Sequence, residues 1–325
     1  MIKLAIIGFG NVGQGFAELL IKKRREIEKR VGKFKVVAIA DSKSSISGDF
    51  KLEEAIEIKK KTGKLPEDRI AIEIVEGEDY DVLIESTITD IETGGAGLKY
   101  IKTALKRGCH VVTSNKGPLV VAFKELVDLA NRKGVKLMYE ATVGGVMPVI
   151  KLIRKYLAIC EIERAMGILN GTCNYILSRM EEEKLPFNQI LNEAKELGIA
   201  EANPSYDIEG IDAAAKLVIL ANTIYDCNFK FKDVERIGID SITPEAFEIA
   251  IKRGYTIRLI AEASKRVLKV SPRLVPINHP LAVRGTMNAL MLKTDTAGNI
   301  VVMGRGAGRK ETATAMLSDL IEIYE

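Results

Sequence analysis

Histidine, cysteine and aromatic residues are all scarce in this chain of 325 residues, with 2 His, 4 Cys and aromatics at 6%. Two histidines, His110 and His279, are too few ligands for a zinc site built on imidazole. Cys109, Cys160, Cys173 and Cys227 stand far apart with no CxxC pair. That is the usage of reduced thiols in a cytoplasmic protein rather than a disulfide framework. No apolar run approaches the ~18 residues that a membrane-spanning helix requires. Strand-like sequence begins at residue 2, which leaves no room for a targeting peptide. A cytoplasmic location is the resulting expectation. The formal net charge is only +4, and the basic stretches at 22–30 and 57–64 have acids interleaved or nearby. They read as solvated helix faces, and with so few aromatics no nucleic-acid surface is expected.

What remains is the composition of a globular protein, 47% hydrophobic and 28% charged, long enough for about two domains. The run "KLAIIGFGNVG" is apolar and β-branched until it breaks into Gly8-Phe9-Gly10-Asn11-Val12-Gly13, and an amphipathic helix over about 14–29 follows. Glycines in this strand–turn–helix setting allow a tight turn, a close approach to pyrophosphate and close helix packing. The helix start adds unpaired N–H groups and a positive dipole end. A bound dinucleotide is therefore expected. The second strand, "FKVVAIA", ends on Asp41, where an acid bonds the ribose hydroxyls of NAD. Lys43, two residues on, would instead accept the 2′-phosphate of NADP; Asp41 tilts the expectation towards NAD, with NADP also open.

Strand-like segments at 79–87, 110–115 and 136–142 alternate with helices over 95–107 and 119–133. This spacing predicts a parallel sheet covered on both faces. Thr87, Ser114, Asn115 and Lys116 fall at the carboxyl ends of those strands, where ligands bind in such sheets. Lys116, in "TSNKGPL", is either a solvated loop lysine or part of the chemistry.

From about residue 141 the pattern changes. Gly144-Gly145 and then Pro148 suggest a hinge out of the first domain. "AMGILNGTCNYILSRM" reads as strand, turn and helix, with further strands near 234–240, 267–275 and 299–303. "GRGAGRKETATA" supplies a second glycine turn at Gly306 and Gly308 before a last helix. The predicted fold is α/β: an N-terminal Rossmann-type doubly wound parallel sheet over 1–139, and an α+β catalytic and dimerisation domain over 140–300. A C-terminal helical segment, 301–325, returns to the first domain. The stretch "AEANPSYDIEGIDAAAK" gathers Glu201, Asp207, Glu209 and Asp212 before Lys216. Asp212 and Lys216, four apart on a helix starting near Glu209, share a face. They form either a surface salt bridge or, if partly desolvated, a proton carrier.

Taken together, "IGFGNVG", "TSNKGPL", "YEATVGGVMPVI", "GILNGTCNYIL", "ELGIAEANPSYDIEGIDAAAKLVILA", "NHPLAVRGTMNAL" and "GRGAGRKETATA" resemble homoserine dehydrogenase nearly end to end. The resemblance implies NAD(P)-dependent interconversion of L-homoserine and L-aspartate 4-semialdehyde, a step towards threonine, methionine and isoleucine. It matches the catalytic lysine to Lys216 and the second active-site lysine to Lys116. Substrate binding falls to Glu201, Asp207 and Asp212, with Gly171-Thr172 receiving the carboxylate. Cofactor contacts fall at Phe9, Asn11, Val12, Thr87, Lys116 and Gly308. A monovalent cation, Na+ or K+, is implied at Glu140, Val143, Gly145 and Met147, and a homodimer through the region after 265. His279 reads as support for a turn near that interface. Many members carry a C-terminal ACT regulatory domain; this chain stops at the returning helix, so threonine inhibition through one is not expected. Asn203 stands where aspartate is common, and 41–43 lacks a clear arginine, which leaves cofactor preference open. The competing readings are another Rossmann-domain oxidoreductase, with Cys173 as the candidate nucleophile of a phosphorylating semialdehyde dehydrogenase, and a non-catalytic NAD-binding protein.

Overall fold

Apolar β-branched sequence at the start of the chain becomes the middle of a sheet. β1 (Ile2–Ile7) lies between β2 (Phe34–Ala40) and β4 (Val82–Glu85), parallel to both. β5 (His110–Thr113) and β6 (Leu137–Met138) continue the parallel order, and β3 (Ser45–Ser47) closes the other edge antiparallel to β2. The order β3-β2-β1-β4-β5-β6 puts a topological switch point between β1 and β4, beside the glycine turn. The strands read as continuous apolar runs because both faces are covered, and Leu4, Ile6, Val82, Ile84 and Val112 are almost wholly buried. The computed structural model describes all 325 residues. They divide into two units, Met1–Thr142 with Gly308–Glu325, and Val143–Ala307.

The helices of the first unit depart from the sequence pattern in instructive places. One helix was expected over about 14–29; two are found, α1 (Asn11–Lys22) and α2 (Arg24–Val31). The break falls at Lys23, inside the basic run. Beyond it only Ile27 is buried, too thin a stripe to hold a continuing helix against the core. The polar stretch after β2 contains α3 (Leu52–Thr62), and α4 (Ala71–Gly77) follows it. α5 (Gly95–Lys106) and α6 (Lys116–Lys133) alternate with β5 and β6. α6 starts ahead of the expected 119 because the Asn115 side chain caps it, accepting from the Gly117 N–H at 3.0 Å. The last helix, α13 (Arg309–Tyr324), returns to this unit. Its Ala313, Met316 and Leu320 join Phe16 and Leu20 of α1 in one core.

In the second unit, α7 (Val149–Lys151) runs into a π-helical turn at Leu152–Tyr156. Then come β7 (Ile162–Ile168), α8 (Gly171–Glu183), α9 (Phe187–Glu196), α10 (Ser205–Ile208) and α11 (Ile211–Tyr225). β8 (Glu235–Arg236), α12 (Pro244–Lys252), β9 (Tyr255–Ala263), β10 (Leu268–Pro276), β11 (Met287–Thr294) and β12 (Asn299–Arg305) complete it. The sheet order is β12-β11-β7-β9-β10-β8. It is antiparallel throughout except where β8 pairs with β10. α8, α11 and α12 pack against β9. The unit boundaries fall at 142/143 and 307/308 rather than at 139/140 and 300/301. The residues after β6 form a 3₁₀ turn, Glu140–Thr142, whose Glu140 N–H donates to Asp319 of α13 at 2.9 Å. At the other boundary, β12 stays paired with β11 through Arg305.

Candidate active site

The dinucleotide cradle is built by the β1–α1 turn. Gly8 has φ +94°, and a Cβ there would stand 2.5 Å from the Ser86 carbonyl carbon. A Cβ on Gly13 would strike the Gly8 carbonyl. The turn is therefore closed against the end of β4, and the Ser86 hydroxyl donates to the Gly8 carbonyl at 2.8 Å. Gly10 is the opposite case: nothing lies within 4 Å of where its Cβ would point. The open side faces outward at the start of α1, which has no side-chain cap and no acid in its first turn. Pyrophosphate fits such a cradle of free N–H groups and positive dipole. Asn11 and Val12 are accessible there, whereas the Phe9 ring is fully buried in the core, leaving only its backbone at the turn.

Asp41 ends β2, but its carboxylate is engaged within its own loop. Oδ1 accepts from the Lys43 and Ser44 N–H groups at 2.8 and 2.9 Å and from the Ser44 hydroxyl at 3.0 Å, while Lys59 bonds Oδ2. Burial raises the Asp41 pKa, but Lys59, the loop N–H groups and Ser44 outweigh it and bring the carboxyl below its usual value. The Lys43 side chain is exposed.

At the other strand ends a buried carboxylate does the arranging. Glu85, 0% exposed, closes β4. It accepts from the Thr87 N–H at 2.9 Å, the Thr113 hydroxyl at 2.6 Å and the Asn115 amide at 3.3 Å, and also from the Thr87 hydroxyl. Thr87 and the Asn115 cap that precedes Lys116 are thus tied to one buried group, and the Ser114 N–H donates to the Glu85 main-chain carbonyl at 3.1 Å. Lys116 is the first residue of α6, partly exposed, and Gly117 follows because a Cβ there would strike the Asp90 backbone.

In the second unit the acid stretch folds into a buried cluster. Asp212 and Lys216 lie on α11, 6% and 7% exposed. Lys216 Nζ donates to Asp212 Oδ2 at 2.6 Å and to the Leu169 carbonyl at 2.7 Å. The helix starts at Ile211 after Gly210, and the Ala213–Ala215 run is buried. Of the two readings of the pair, the structure has the desolvated one. Asp207 on α10 accepts from the Asn170 amide at 2.7 Å, and the same amide donates to Asp212 Oδ2 at 2.9 Å. Burial first, and then the charge of Asp212, hold the Asp207 carboxyl above its usual range; Asn170, Lys216 and Thr172 act against them. Gly171 and Thr172 open α8, where Asn170 caps the Cys173 N–H at 2.8 Å and the Thr172 hydroxyl donates to the Ile199 carbonyl at 3.2 Å. Glu201 is exposed on the connection between α9 and α10, and Glu209 is exposed just before Gly210.

Cys173 is 0% exposed, and its thiol donates to the Asp207 carbonyl at 3.1 Å. Burial, with Asp207 and Asp212 nearby, pushes that thiol well above its usual pKa. An inert neutral thiol is the opposite of an activated nucleophile.

The family model for homoserine dehydrogenase matches residues 148–321, and that for the homoserine dehydrogenase NAD-binding domain matches 8–140. The chain belongs to the homoserine dehydrogenase family. A homoserine dehydrogenase of Methanocaldococcus jannaschii is 50% identical over 99% of this chain and 98% of its own length. A crystal structure from Archaeoglobus fulgidus, provisionally assigned to homoserine dehydrogenase, is 67% identical with a TM-score of 0.96, covering 100% of this chain and 99% of that one. A hyperthermophilic archaeal homoserine dehydrogenase in complex with NADPH is 33% identical with a TM-score of 0.85, covering 99% and 97%. The family's NAD-binding domain thus coincides with the unit that carries the glycine cradle.

Three features of the site lay outside the sequence reading. Two of them are the buried Glu85 carboxylate and the Asn170 amide, which bond residues remote in sequence. The third is a shared brace, Arg258 to Glu181 at 2.8 Å, both buried, which fastens β9 to α8. The residues for which the family resemblance implies a cation lie as follows. Glu140 is 3% exposed, Val143 and Met147 are buried, and Gly144-Gly145 turn with φ of +82° and +60°. The Met147 side chain packs towards Gly144 and Gly304, and its carbonyl accepts from the Val149 N–H at 2.8 Å. No group of three or more His, Cys, Asp or Glu side chains is placed to hold a metal. No helix is long and apolar enough to cross a membrane.

Proposed function

We propose that this chain interconverts L-homoserine and L-aspartate 4-semialdehyde with NAD(P), with Lys216 as the acid/base. The observation that carries the proposal is the buried Lys216–Asp212 pair at 2.6 Å, with the Leu169 carbonyl as a second acceptor at 2.7 Å. These two acceptors fix the Nζ position and leave a third ammonium donor for a substrate oxygen. In the oxidative direction Lys216, as the amine, takes the hydroxyl proton while hydride leaves the same carbon, and Asp212 stabilises the ammonium so formed. In the reductive direction the ammonium returns that proton to the aldehyde oxygen. The nicotinamide, when bound, supplies the hydride acceptor or donor. The N–H groups at the start of α8 suit the substrate carboxylate, and Glu201 and Asp207 suit its ammonium. Lys116 is assigned the electrostatic stabilisation of the alkoxide. The activity would belong to the biosynthesis of threonine, methionine and isoleucine.

NADP(H) is the cofactor favoured here, with NAD(H) also accepted. Asp41 is committed to Lys59 and its own loop rather than presented to the ribose diol, and Lys43 beside it is exposed. A monovalent cation at Glu140, Val143, Gly145 and Met147 is part of the proposal, as is a homodimer. Tyr255, Leu274 and Ile277, at adjoining ends of β9 and β10, are 37%, 57% and 46% exposed, an apolar surface suited to a second copy. The test of the activity is direct. Purified protein is mixed with L-homoserine and NAD+ or NADP+ at alkaline pH, and reduced cofactor is followed by absorbance. Formation of reduced cofactor is expected; none with either cofactor would overturn the proposal.

A further inference from the structure

Asn170 is 4% exposed, sits in the connection from β7 to α8, and uses all of its side chain in the acid cluster. Its Nδ2 donates to Asp207 at 2.7 Å and to Asp212 at 2.9 Å, and its Oδ1 accepts from the Cys173 N–H at 2.8 Å. The opposite amide orientation would set a carbonyl oxygen against two carboxylates and an NH2 group against a backbone N–H. The contacts therefore admit one orientation only. Its neighbour Leu169 holds Lys216 through its carbonyl. Two successive residues thus hold both members of the acid/base pair, Leu169 the ammonium and Asn170 the carboxylate.

The charge count gives this arrangement a purpose. Asp207, Asp212 and Lys216 together carry one net negative charge when all are ionised. Two carboxylates sharing a buried site repel, which favours protonation of one of them. An aspartate at position 170 would add a third acid, and an apolar residue would leave both carboxylates with fewer donors. Only a neutral side chain with two N–H donors serves both acids and adds no charge. We propose that Asn170 is a positioning residue that bridges Asp207 and Asp212, so that the cluster presents one net negative charge to the ammonium of an amino-acid substrate. The substrate half rests on the activity proposed above; the bridging half does not.

The groups facing the two acids are Lys216 on α11, Tyr206 on α10, and Thr172 and Cys173 on α8. Burial first, and the acids second, raise both the Tyr206 hydroxyl and the Cys173 thiol. These two groups stay neutral over an ordinary assay range, which leaves the acids to respond.

The test uses the full chain with Asn170→Ser and Asn170→Asp. Both replacements still cap α8, so folding is retained, while the first removes the paired donors and the second adds a charge. The first measurement is urea unfolding at about pH 5 and about pH 8. Losing the donors raises the folded-state pKa of the acids. A raised group lends stability at low pH and loses it as pH rises through the folded value. The deficit against the native chain should therefore be larger at the higher pH, and largest for Asn170→Asp. The second measurement is kcat/KM for L-homoserine against pH. The acid limb should move up by about one unit, with KM for L-homoserine rising at least ~5-fold and KM for NADP+ unchanged. A deficit independent of pH together with an unmoved acid limb, whatever the fall in melting temperature, would overturn the bridge. A native chain inactive on L-homoserine whose variants still show the pH-dependent deficit would keep the bridge and overturn the substrate.

Discussion

Replacing Lys216 by methionine approximately keeps the length of the side chain and removes its charge. Asp212 and Lys216 are 6% and 7% exposed, so water does little to screen the loss. Deleting one partner of a buried pair typically costs ~3–5 kcal/mol, because the other charge stays behind unpaired. Asn170 still donates to Asp212, which places the expected cost near the lower end, ~3 kcal/mol. At ~2–4 °C per kcal/mol for a unit of this size, the melting temperature should fall by ~6–12 °C. The pH dependence is the sharper part. Asp207 is already raised, by burial and then by Asp212, and without the ammonium it moves further the same way. A carboxyl raised in the fold stabilises it below the unfolded pKa, and that contribution is lost as pH rises through the folded value. The penalty for Lys216→Met should therefore be smaller at about pH 5 than at about pH 8, read by thermal unfolding in parallel with the native chain. An equal penalty at both pH values would refute the reasoning, because the acids would then not be sharing that ammonium.

Other consequences are independent of the pair. Lys59→Ala removes the cation paired with Asp41 at the end of β2 and leaves only the neutral donors of Lys43 and Ser44. A lost partner of this kind is worth up to ~1 kcal/mol, so KM for NADP+ should rise by ~5-fold while that for NAD+ stays within ~2-fold. Equal changes in both would remove the loop from cofactor selection. The apolar surface of β9 and β10 should hold two copies together: sedimentation of the native chain should give a dimer, and Leu274→Glu should shift it towards monomer. A monomeric native chain at micromolar concentration would rule that assembly out.

The order of β1, α1 and the alternating strands was legible because each carries its signal locally, as apolar runs, spaced turns and one glycine loop. β9 was not. Its sequence, "YTIRLIAEA", sets Arg258 and Glu262 among apolar residues, which argues against a buried strand until the partners are known. Arg258 is fully buried because Glu181, Thr256 and the Val283 carbonyl satisfy it, and those partners are distant in sequence or visible only in the fold. The break at Lys23 escaped for another reason: helix periodicity carries on through it, and only the loss of buried positions marks it.

At the site the same division holds. Gly8, Gly10 and Gly13 announce a phosphate cradle because their spacing is itself the mechanism. The i,i+4 relation of Asp212 and Lys216 was readable as a shared face, but its burial was not. That burial depends on α11 packing against β9 and β10. Glu85 and Asn170 gave no local sign of their roles, since what each does is hold residues remote in sequence. Resemblance to a family singled out Lys216, and the geometry added what surrounds it: a carboxylate, a carbonyl and a bridging amide.

The most direct test of the central claim compares oxidation of L-homoserine by the native chain and by Lys216→Met, with NADPH binding measured on both. Lys216→Met should bind NADPH with unchanged affinity and lose ~10²–10⁴ in kcat, the contribution of a general acid/base. Turnover by Lys216→Met within a few-fold of native, with cofactor bound equally well, would contradict that claim.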